Sequence, residues 1–489
     1  MLDTINALKQ KRVTITQNGD CPQVIAIFTA SMLSLSTGMI FAYASPAIPK
    51  LIAEYGFTIE DASYFPIIPP IAMIVATPVY CQLMDSHGRK YILLSAGVLH
   101  VISWLILAFA DTIYLFHTSR VFLGIAEACV FAVLPTYIAE TTTPNVRSSY
   151  GNIMVISSLI GRFLTNCIGY YFSIQLSSLI MLLIPILFMI TFGFMPDTPY
   201  YLLKSGKTER AMKSLRQLRG SKDVNVELLQ ISLGLQKQLS ESGRLKDLFL
   251  VKSNRKALAI ATISRAFQQY SGSASLTVYA QYILNEGGGN ISSGVGAIIV
   301  SGIFVAVNLF ANIICDKLGR RKSMIFSCLG CGIILLAESI WFPLFGLASY
   351  ALAYCVGLGP IPNLLIGEVF STNMRQHGIT ISNVIFGINT CVALKLFQFL
   401  MSTYGMWTSF LVFGLCCLVS SICSYFTIPE TKGKALEEIQ QMLKEGKIEK
   451  PKQDTTEVWS TANEIRVNRS KIIKEFIEAG GGGVCTVKY

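Results

Sequence analysis

The segment DSHGRK, from Asp85 to Lys90, returns 231 residues later as DKLGRRK, from Asp316 to Lys322. Each copy follows a long apolar run and turns on a glycine that is followed by a basic residue. Two further features recur in the same order at nearly the same spacing. They are the pair Glu140 and Arg147, which returns as Glu368 and Arg375 after 228 residues, and PDTP at Pro196, which returns as PETKG at Pro429 after 233 residues. The chain is therefore predicted to contain two copies of one structural unit.

Both copies are built from long apolar runs. Of the 489 residues, 52% are hydrophobic and only 14% are charged, whereas a soluble domain carries about 25% charged residues. Each run approaches the roughly 20 residues that a helix needs to cross the bilayer core. The predicted spans are 22–44, 63–84, 91–110, 116–139, 150–172 and 176–195, then 257–284, 292–315, 323–345, 348–369, 379–402 and 407–428. The sequence thus predicts an all-α membrane protein of 12 transmembrane helices, six in residues 22–195 and six in residues 257–428.

Basic residues mark one side of the membrane. They lie mostly in the turns after the second and eighth spans and in the linker 196–256, which holds thirteen of them. Because cytoplasmic loops are enriched in Lys and Arg, the N-terminus 1–21, the linker and the tail 429–489 are predicted to be cytoplasmic. The same clustering accounts for the net charge of +11 without a nucleic-acid partner. The sequon that begins at Asn290 falls in a predicted outside loop close to the membrane, and it is a candidate glycosylation site.

The duplicated charges predict a gate on the cytoplasmic side. Two similar six-helix bundles can rock against each other around a site at mid-membrane, which gives alternating access. Carboxylates and guanidinium groups at the cytoplasmic ends can hold such bundles together by charge-assisted hydrogen bonds across their interface. The glycines of the two turns permit tight connections between spans. The candidate gate residues are Asp85, Gly88, Arg89, Glu140, Arg147, Asp316, Gly319, Arg320, Glu368 and Arg375. The alternative is that these charges only set the topology.

The central linker has a helical pattern. In KTERAMKSLRQLRG, apolar residues recur at three- and four-residue spacing with basic residues between them. They are Ala211, Met212, Leu215 and Leu218. This spacing predicts short amphipathic helices against the cytoplasmic face, and the alternative is a solvated linker with residual helicity.

These features together resemble the sugar porter family of the major facilitator superfamily, over residues from about 22 to 440. The motifs that carry the resemblance are the two D-x-x-G-R turns, RVFLG at Arg120, PTYIAETTTPNVR at Pro135, QQYSG at Gln268, GLGPIPNLLIGEVF at Gly357 and PETKG at Pro429. SPAIPKL at Ser45, GLGPIP and PDTP look most like insect facilitative hexose and trehalose transporters. The resemblance implies two six-helix bundles with a cytoplasmic helical linker, a location in the plasma membrane and a sugar as the partner.

The resemblance also implies substrate-binding residues. Gln268 and Gln269 stand where the family places its principal sugar contacts, and Tyr279 matches an aromatic residue near the outer gate. Asn363 replaces the aromatic residue that often follows G-P-I-P, and Asn389 lies near the displaced amide pair of span 11. The alternative for the glutamines is hydrogen bonding between helices without a ligand.

The sequence departs from the family at several positions that usually carry polar side chains. Val155, Ala274 and Phe304 occupy places where the family commonly has an amide, and Tyr200 replaces an arginine. Amides donate and accept hydrogen bonds, as sugar hydroxyls require. These losses weaken the prediction of an ordinary glucose site.

The first span has no acidic residue at the place where proton-driven members of the family usually carry one. This difference is an argument against coupling to protons. Facilitated diffusion is therefore favoured. Five ionisable residues nevertheless fall within predicted spans, and intramembrane charges are candidates for function. They are Glu127, Arg162, Arg265, Glu338 and Lys395. Glu127 is a candidate proton carrier, and the alternative for the group is salt bridges within the bundle or placement near the membrane surface.

No enzyme motif, cofactor or metal site is predicted. Cys328 and Cys331 have a redox-like spacing, but they lie in a span without partner histidines. Two rivals to a facilitative sugar transporter remain, namely a transport-inactive sugar sensor and a porter of another polar organic solute, with or without coupling to protons.

Overall fold

A computed structural model describes residues 20–221, 223–240, 245–286, 291–340, 343–371, 374–432, 434 and 436–445. The secondary structure of these residues is helical. Ten helical segments are long and apolar enough to cross a membrane. The two remaining predicted spans, the seventh and the ninth, are helical as well. The seventh is interrupted and begins with basic residues, and the ninth begins with Arg320, Arg321 and Lys322.

The first half consists of nine helices. They are α1 (Cys21–Ala42), α2 (Ala44–Tyr55), α3 (Ile59–Tyr64), α4 (Ile68–His87), α5 (Arg89–Ala108), α6 (Ile113–Thr141), α7 (Pro144–Tyr150), α8 (Ile153–Tyr171) and α9 (Ile174–Gly193). Helix α1 packs on α8, α4 on α6, and α5 on both α6 and α9. Glycines permit the close approaches, since a Cβ on Gly38 would lie 1.9 Å from the Ser158 carbonyl oxygen.

The linker and the second half follow. The linker contains α10 (Pro199–Lys204), α11 (Thr208–Arg219), α12 (Asn225–Ser240) and α13 (Asp247–Leu250). The second half contains α14 (Lys252–Tyr270), α15 (Ser273–Val278), α16 (Ala280–Glu286), α17 (Ser293–Leu318), α18 (Arg320–Glu338), α19 (Pro343–Val356), α20 (Ile361–Val369), α21 (Arg375–Tyr404) and α22 (Met406–Thr427). Helix α23 (Leu436–Glu445) comes last.

The packing of the second half repeats that of the first. Helix α14 packs on α21, α17 on α19, and α18 on both α19 and α22. These pairs correspond one for one to the helix pairs of the first half when the spans are counted in order. The main contacts between the halves, α4 with α21 and α8 with α17, also exchange under this correspondence. The two halves are thus related by pseudo-twofold symmetry, as the sequence repeat predicts.

The linker is helical and folded against the bundle. Ala211, Leu215 and Leu218 of α11 are buried in a cluster with residues of α10 and α12, including Tyr201 and Leu228. The prediction of amphipathic helices is therefore confirmed. Helix α23 was not predicted; its residues Ile439 and Leu443 are buried, and the Gln440 amide donates to the Val369 carbonyl at 2.6 Å.

Candidate functional site

The first glycine turn joins α4 to α5. Gly88 has φ of 88° and ψ of 159°, a conformation that is essentially restricted to glycine. It brings the buried Arg89 side chain back against the end of α4, where Nη1 donates to the Met84 carbonyl at 3.0 Å. Nη2 of Arg89 lies 3.0 Å from Glu140 Oε1 and 3.4 Å from Asp85 Oδ1. One guanidinium group therefore ties α4, α5 and α6 together.

An acid from the end of the sixth span completes this turn. Asp197 Oδ1 accepts hydrogen bonds from the Lys90 N–H at 3.2 Å and from the Thr198 N–H at 2.8 Å. It thereby satisfies a free donor at the start of α5. A Cβ on Gly88 would lie 2.2 Å from Asp197 Oδ2, so the contact requires glycine. Burial raises the pKa of Asp197 above its usual value, although the hydrogen bonds from Thr198 and Lys90 act in the opposite direction.

The second glycine turn repeats this arrangement between α17 and α18. Gly319 has φ of 88° and ψ of 161°. Arg320 Nη2 lies 3.2 Å from Glu368 Oε1. Glu430 takes the role of Asp197, since its carboxylate accepts from the N–H groups of Arg320 at 3.0 Å and Arg321 at 3.3 Å. The side chain of Asp316 lies outside the part of the chain that the structure describes.

The two ion pairs lie within the halves, which differs from the expectation that such pairs cross the interface. Glu140 and Glu368 pair with the arginines of the glycine turns, which come from their own half. Arg147 Nη1 instead donates to the Ala139 carbonyl at 3.3 Å, and Arg375 forms no ion pair among the described residues. Glu140 and Arg147, seven residues apart in sequence, therefore do not pair with each other among the described residues.

Neutral side chains of α21 bridge the halves at the end that carries the two glycine turns, called here the turn end. The Gln376 amide donates to the Cys81 carbonyl at 3.1 Å and lies 3.5 Å from Asp85 Oδ2. Thr380 Oγ1 lies 2.9 Å from Cys81 Sγ. No sequence motif singles out Gln376, because its role depends on the packing of α21 against α4.

At the opposite end, called the far end, other residues join the halves. Lys395 Nζ lies 3.2 Å from Ser63 Oγ and 4.6 Å from the centre of the Tyr64 ring. The Tyr170 hydroxyl donates to Ser292 Oγ at 3.1 Å. The halves are therefore in contact at both ends.

Gln268 is fully engaged within the protein. Its Oε1 accepts from Arg265 Nη1 at 3.0 Å, and its Nε2 donates to the carbonyls of Leu358 at 3.0 Å and Gly359 at 3.2 Å. These carbonyls lie at the break between α19 and α20. Pro362 has no N–H to donate to Leu358, so Gln268 supplies the missing donor. This geometry favours the alternative that Gln268 links helices.

Gln269 and Tyr279 keep polar atoms without a partner. Gln269 is 2% exposed, and its Oε1 has no hydrogen-bond partner among the described residues. Tyr279 stacks on Phe397 with ring centres 5.6 Å apart, and its hydroxyl also has no described partner. Of the other candidates, Asn363 is exposed and Asn389 is half-buried, and none of the five candidate substrate-binding residues lines either of two cavities between the halves.

Two cavities lie between the halves. The first is lined by Phe41, Arg120, Glu127, Phe386 and Thr390 among others. The second is lined by polar residues from both halves and by apolar ones. Its polar residues are Arg162, Asn166, Thr277, Ser301 and Tyr350. Residues from both halves thus meet around each cavity.

The five intramembrane charges named above form no ion pair within 4.0 Å among the described residues, so the salt-bridge explanation is wrong there. The cations instead face aromatic rings. Arg162 lies 4.4 Å from the centre of Phe41, and Arg265 lies 4.8 Å from that of Phe386. Such contacts offset part of the cost of burying a cation.

The candidate glycosylation site, Asn290, lies outside the residues that the structure describes and stays a prediction. Within the described residues, no group of three or more His, Cys, Asp and Glu side chains is placed to hold a metal ion.

Solved structures with the same arrangement of helices identify the fold. The proton:xylose symporter XylE bound to 6-bromo-6-deoxy-D-glucose superposes with a TM-score of 0.73 at 20% identity, covering 87% of this chain and 100% of that one. A partially occluded inward open structure of the xylose transporter XylE from E. coli gives 0.72 at 19% identity, covering 84% and 99%. The chain therefore has the major facilitator fold.

Sequence comparison identifies the family. Residues 23–443 match the family described as sugar (and other) transporter, and the chain belongs to it. It is 30% identical over 447 residues to facilitated trehalose transporter Tret1 of Polypedilum vanderplanki, covering 86% of this chain and 88% of that one. It is 28% identical to Tret1 of Bombyx mori, with 87% of each chain covered. The resemblance predicted from the motifs is thus confirmed, and the chain is a multi-pass membrane transporter.

Proposed function

We propose that this protein carries a sugar across the plasma membrane by facilitated diffusion, through alternating access. The observation that carries the proposal is the pair of cavities between two pseudo-symmetric halves, which touch each other at both ends. Rocking of one half against the other would open one end while the other stays closed. Similarity to facilitated trehalose transporters favours trehalose or a hexose as the solute.

The absence of an acid in the first span favours a uniporter. Helix α1 contains neither Asp nor Glu over its 22 residues. A carrier that couples to protons needs a group that takes up and releases a proton as access alternates. Facilitated diffusion needs none.

The turn end is the inner gate of this proposal. Its basic residues support a cytoplasmic location for this end and for both termini, by the positive-inside rule. Each turn holds its own half rigid through an Arg–Glu pair, and Gln376 and Thr380 link the rigid parts of the two halves. Opening toward the cytoplasm then requires the loss of neutral contacts and of the 3.5 Å approach between Gln376 and Asp85, while both ion pairs stay intact.

Uptake by the full chain in liposomes tests the proposal, with glucose, fructose, trehalose and polyols as solutes. At least one sugar should equilibrate across the membrane without exceeding the outside concentration, and an inward pH gradient should not change this end point. Accumulation driven by the gradient would exclude facilitated diffusion. Sugar binding without flux would instead support a transport-inactive sensor.

The two glutamines give a matched pair of variants. Gln269→Ala should raise the KM for the transported sugar, because a free carbonyl oxygen is lost from the interior. Gln268→Ala should mainly lower the yield and melting temperature of the folded protein, because it leaves the Leu358 carbonyl without a donor. An unchanged KM in Gln269→Ala would place the sugar elsewhere.

A proton-coupled porter is the second candidate, and Glu127 favours it. This carboxyl group lines the first cavity and has no ion pair within 4.0 Å among the described residues. Glu127→Gln would then abolish the response to a pH gradient while leaving exchange of solute intact.

A further inference from the structure

Arg162, which is half-buried, differs from the buried Arg120 and Arg265 in its contacts. Arg120 Nη1 donates to the Ile40 carbonyl at 3.3 Å, and Arg265 donates to Gln268. The Arg162 side chain lines the second cavity against Phe41, and its Nε has no partner among the described residues. No carboxylate described in the structure lies within 4.0 Å of it. Its donors are therefore available to a ligand.

The other polar groups of this cavity restrict the kind of ligand that it can bind. Thr277 Oγ1 donates to the Ser273 carbonyl, Ser301 Oγ donates to the Ala297 carbonyl, and the Tyr350 hydroxyl bonds with Ser271. Asn166, which is buried four residues after Arg162 on α8, keeps its Oδ1 without a described partner. Its Nδ2 donates a hydrogen bond to the Arg162 carbonyl at 3.3 Å, so this donor is already engaged. The cavity thus offers cationic donors beside the Asn166 Oδ1 acceptor and the hydroxyl oxygens, which can also accept.

The balance of charged groups in the protein interior also favours a ligand that carries a negative charge. Arg120 lines the first cavity and Arg162 the second, and Arg265 lies 4.8 Å from the centre of the Phe386 ring, which lines the first. Glu127 is a carboxyl group close enough to interact with Arg120 and Arg162. Glu127 forms no ion pair with either of them within 4.0 Å. A positive charge without a counter-ion is costly inside a membrane. A ligand that brings a negative charge would lower that cost.

The positions at which this chain departs from the family pattern also favour a negatively charged ligand. Val155, Ala274 and Phe304 remove amides, which both donate and accept hydrogen bonds and so suit neutral hydroxyls. A guanidinium group only donates, and its two parallel N–H groups match a carboxylate. The exchange of amides for arginine changes the kind of group that the interior can satisfy.

We propose that the second cavity binds a sugar acid, a hydroxylated monocarboxylate of the size of a uronic acid. Arg162 holds the carboxylate, and Asn166 Oδ1 accepts a hydrogen bond from a neighbouring hydroxyl. This inference rests on the proposed transport function and specifies its solute class.

Glucose and glucuronate provide the test, because they differ only in a CH₂OH or a carboxylate at one carbon. With the full wild-type chain in liposomes at neutral pH, glucuronate should be taken up and should half-saturate the carrier at about a tenfold lower concentration than glucose. If glucose moves while glucuronate neither moves nor competes, the sugar-acid inference is overturned and the transport proposal stands. If neither solute nor any other sugar moves, both are overturned.

Variants then assign the effect to Arg162. Arg162→Gln should lower the ratio of glucuronate to glucose affinity about tenfold, and Arg162→Lys, which keeps the charge without the planar fork, should lower it less. Arg255→Gln, an exposed site on α14, is the control that should leave the ratio unchanged. An unaltered ratio in Arg162→Gln would overturn the assignment. If that variant does not fold, the wild-type comparison of the two solutes still decides the inference.

Discussion

The two glycine turns have the same backbone but different surroundings. Gly88 and Gly319 share φ of 88°, and each is followed by an arginine that pairs with a glutamate of the same half. The first pair is more enclosed, with the arginine side chain 7% exposed and the glutamate 15%, against 14% and 26% in the second. Helix α10 accounts for part of the difference, since Lys204 Nζ lies 3.2 Å from Asp85 and the Tyr201 ring lies 5.7 Å from the Arg89 guanidinium.

This difference indicates that duplication preserved the geometry while the linker added shielding to one copy. An ion pair is worth more where water competes less for its charges. The first turn should therefore tolerate substitution less well than the second, and a series of paired variants tests that ordering.

The largest effect is expected from alanine at the turn glycines. Gly88→Ala forces a side chain into a backbone region that costs on the order of 1–3 kcal/mol. Its Cβ would also lie 2.2 Å from the Asp197 carboxylate and 2.7 Å from the Tyr201 ring. In Gly319→Ala the nearest group to the new Cβ is the Glu430 carboxylate, at 2.6 Å. Melting temperatures in detergent should fall in both variants and further in Gly88→Ala; an equal fall would remove the proposed asymmetry.

The next effect is on transport in the arginine variants. Arg89→Ala should reduce uptake about tenfold or more, because it leaves Glu140 half-enclosed without its cation. Arg320→Ala should reduce uptake less, since Glu368 keeps a hydrogen bond from Thr431 at 2.5 Å. The lysine variants are the controls for charge, and surface labelling measures the amount of protein in the membrane. Normal uptake in both alanine variants would reject the role of the two pairs in the gate.

Asp197 and Glu430 accept hydrogen bonds from backbone N–H groups of the glycine turns and are called here the capping acids. The smallest effect is expected in the pH dependence of stability that Asp197 confers. Because burial raises the pKa of Asp197, the folded protein holds this proton more tightly than the unfolded chain does. The resulting stabilisation is complete below the usual aspartate pKa and is lost as pH rises through the raised value. The melting temperature of the wild type should therefore decline with rising pH across the acidic range more steeply than that of Asp197→Asn. Superimposable pH profiles would contradict this account.

The repeat allowed the fold to be predicted, because charges at turns and apolar runs are local signals. The capping roles of Asp197 and Glu430 were missed, although both lie in motifs that drew attention. Each acts on a turn more than 100 residues away, and no local pattern reports such a contact. The ion pair of Glu140 with Arg89 likewise joins residues that are 51 positions apart, and it depends on helix packing.

The candidate site was predicted less well than the fold. Motif position pointed to Gln268 as a ligand, but the missing N–H of Pro362 makes that amide part of the helix break. Arg162 was recognised as an expensive charge, and only the packing of α8 against the second half places it in a cavity. Long-range packing therefore determines which polar groups stay available.

The capping acids also impose an order on biosynthesis. Lys90 and Asp197 are separated by 107 residues, and Arg320 and Glu430 by 110. At about 5–20 residues per second, a ribosome needs roughly 5–20 s to reach the acid after making the turn. During that interval the loop between the second and third spans has emerged without the group that completes it. Each half can thus reach its final form only once its sixth span has been synthesised. Until then the turn between its second and third spans lacks the acid that completes it.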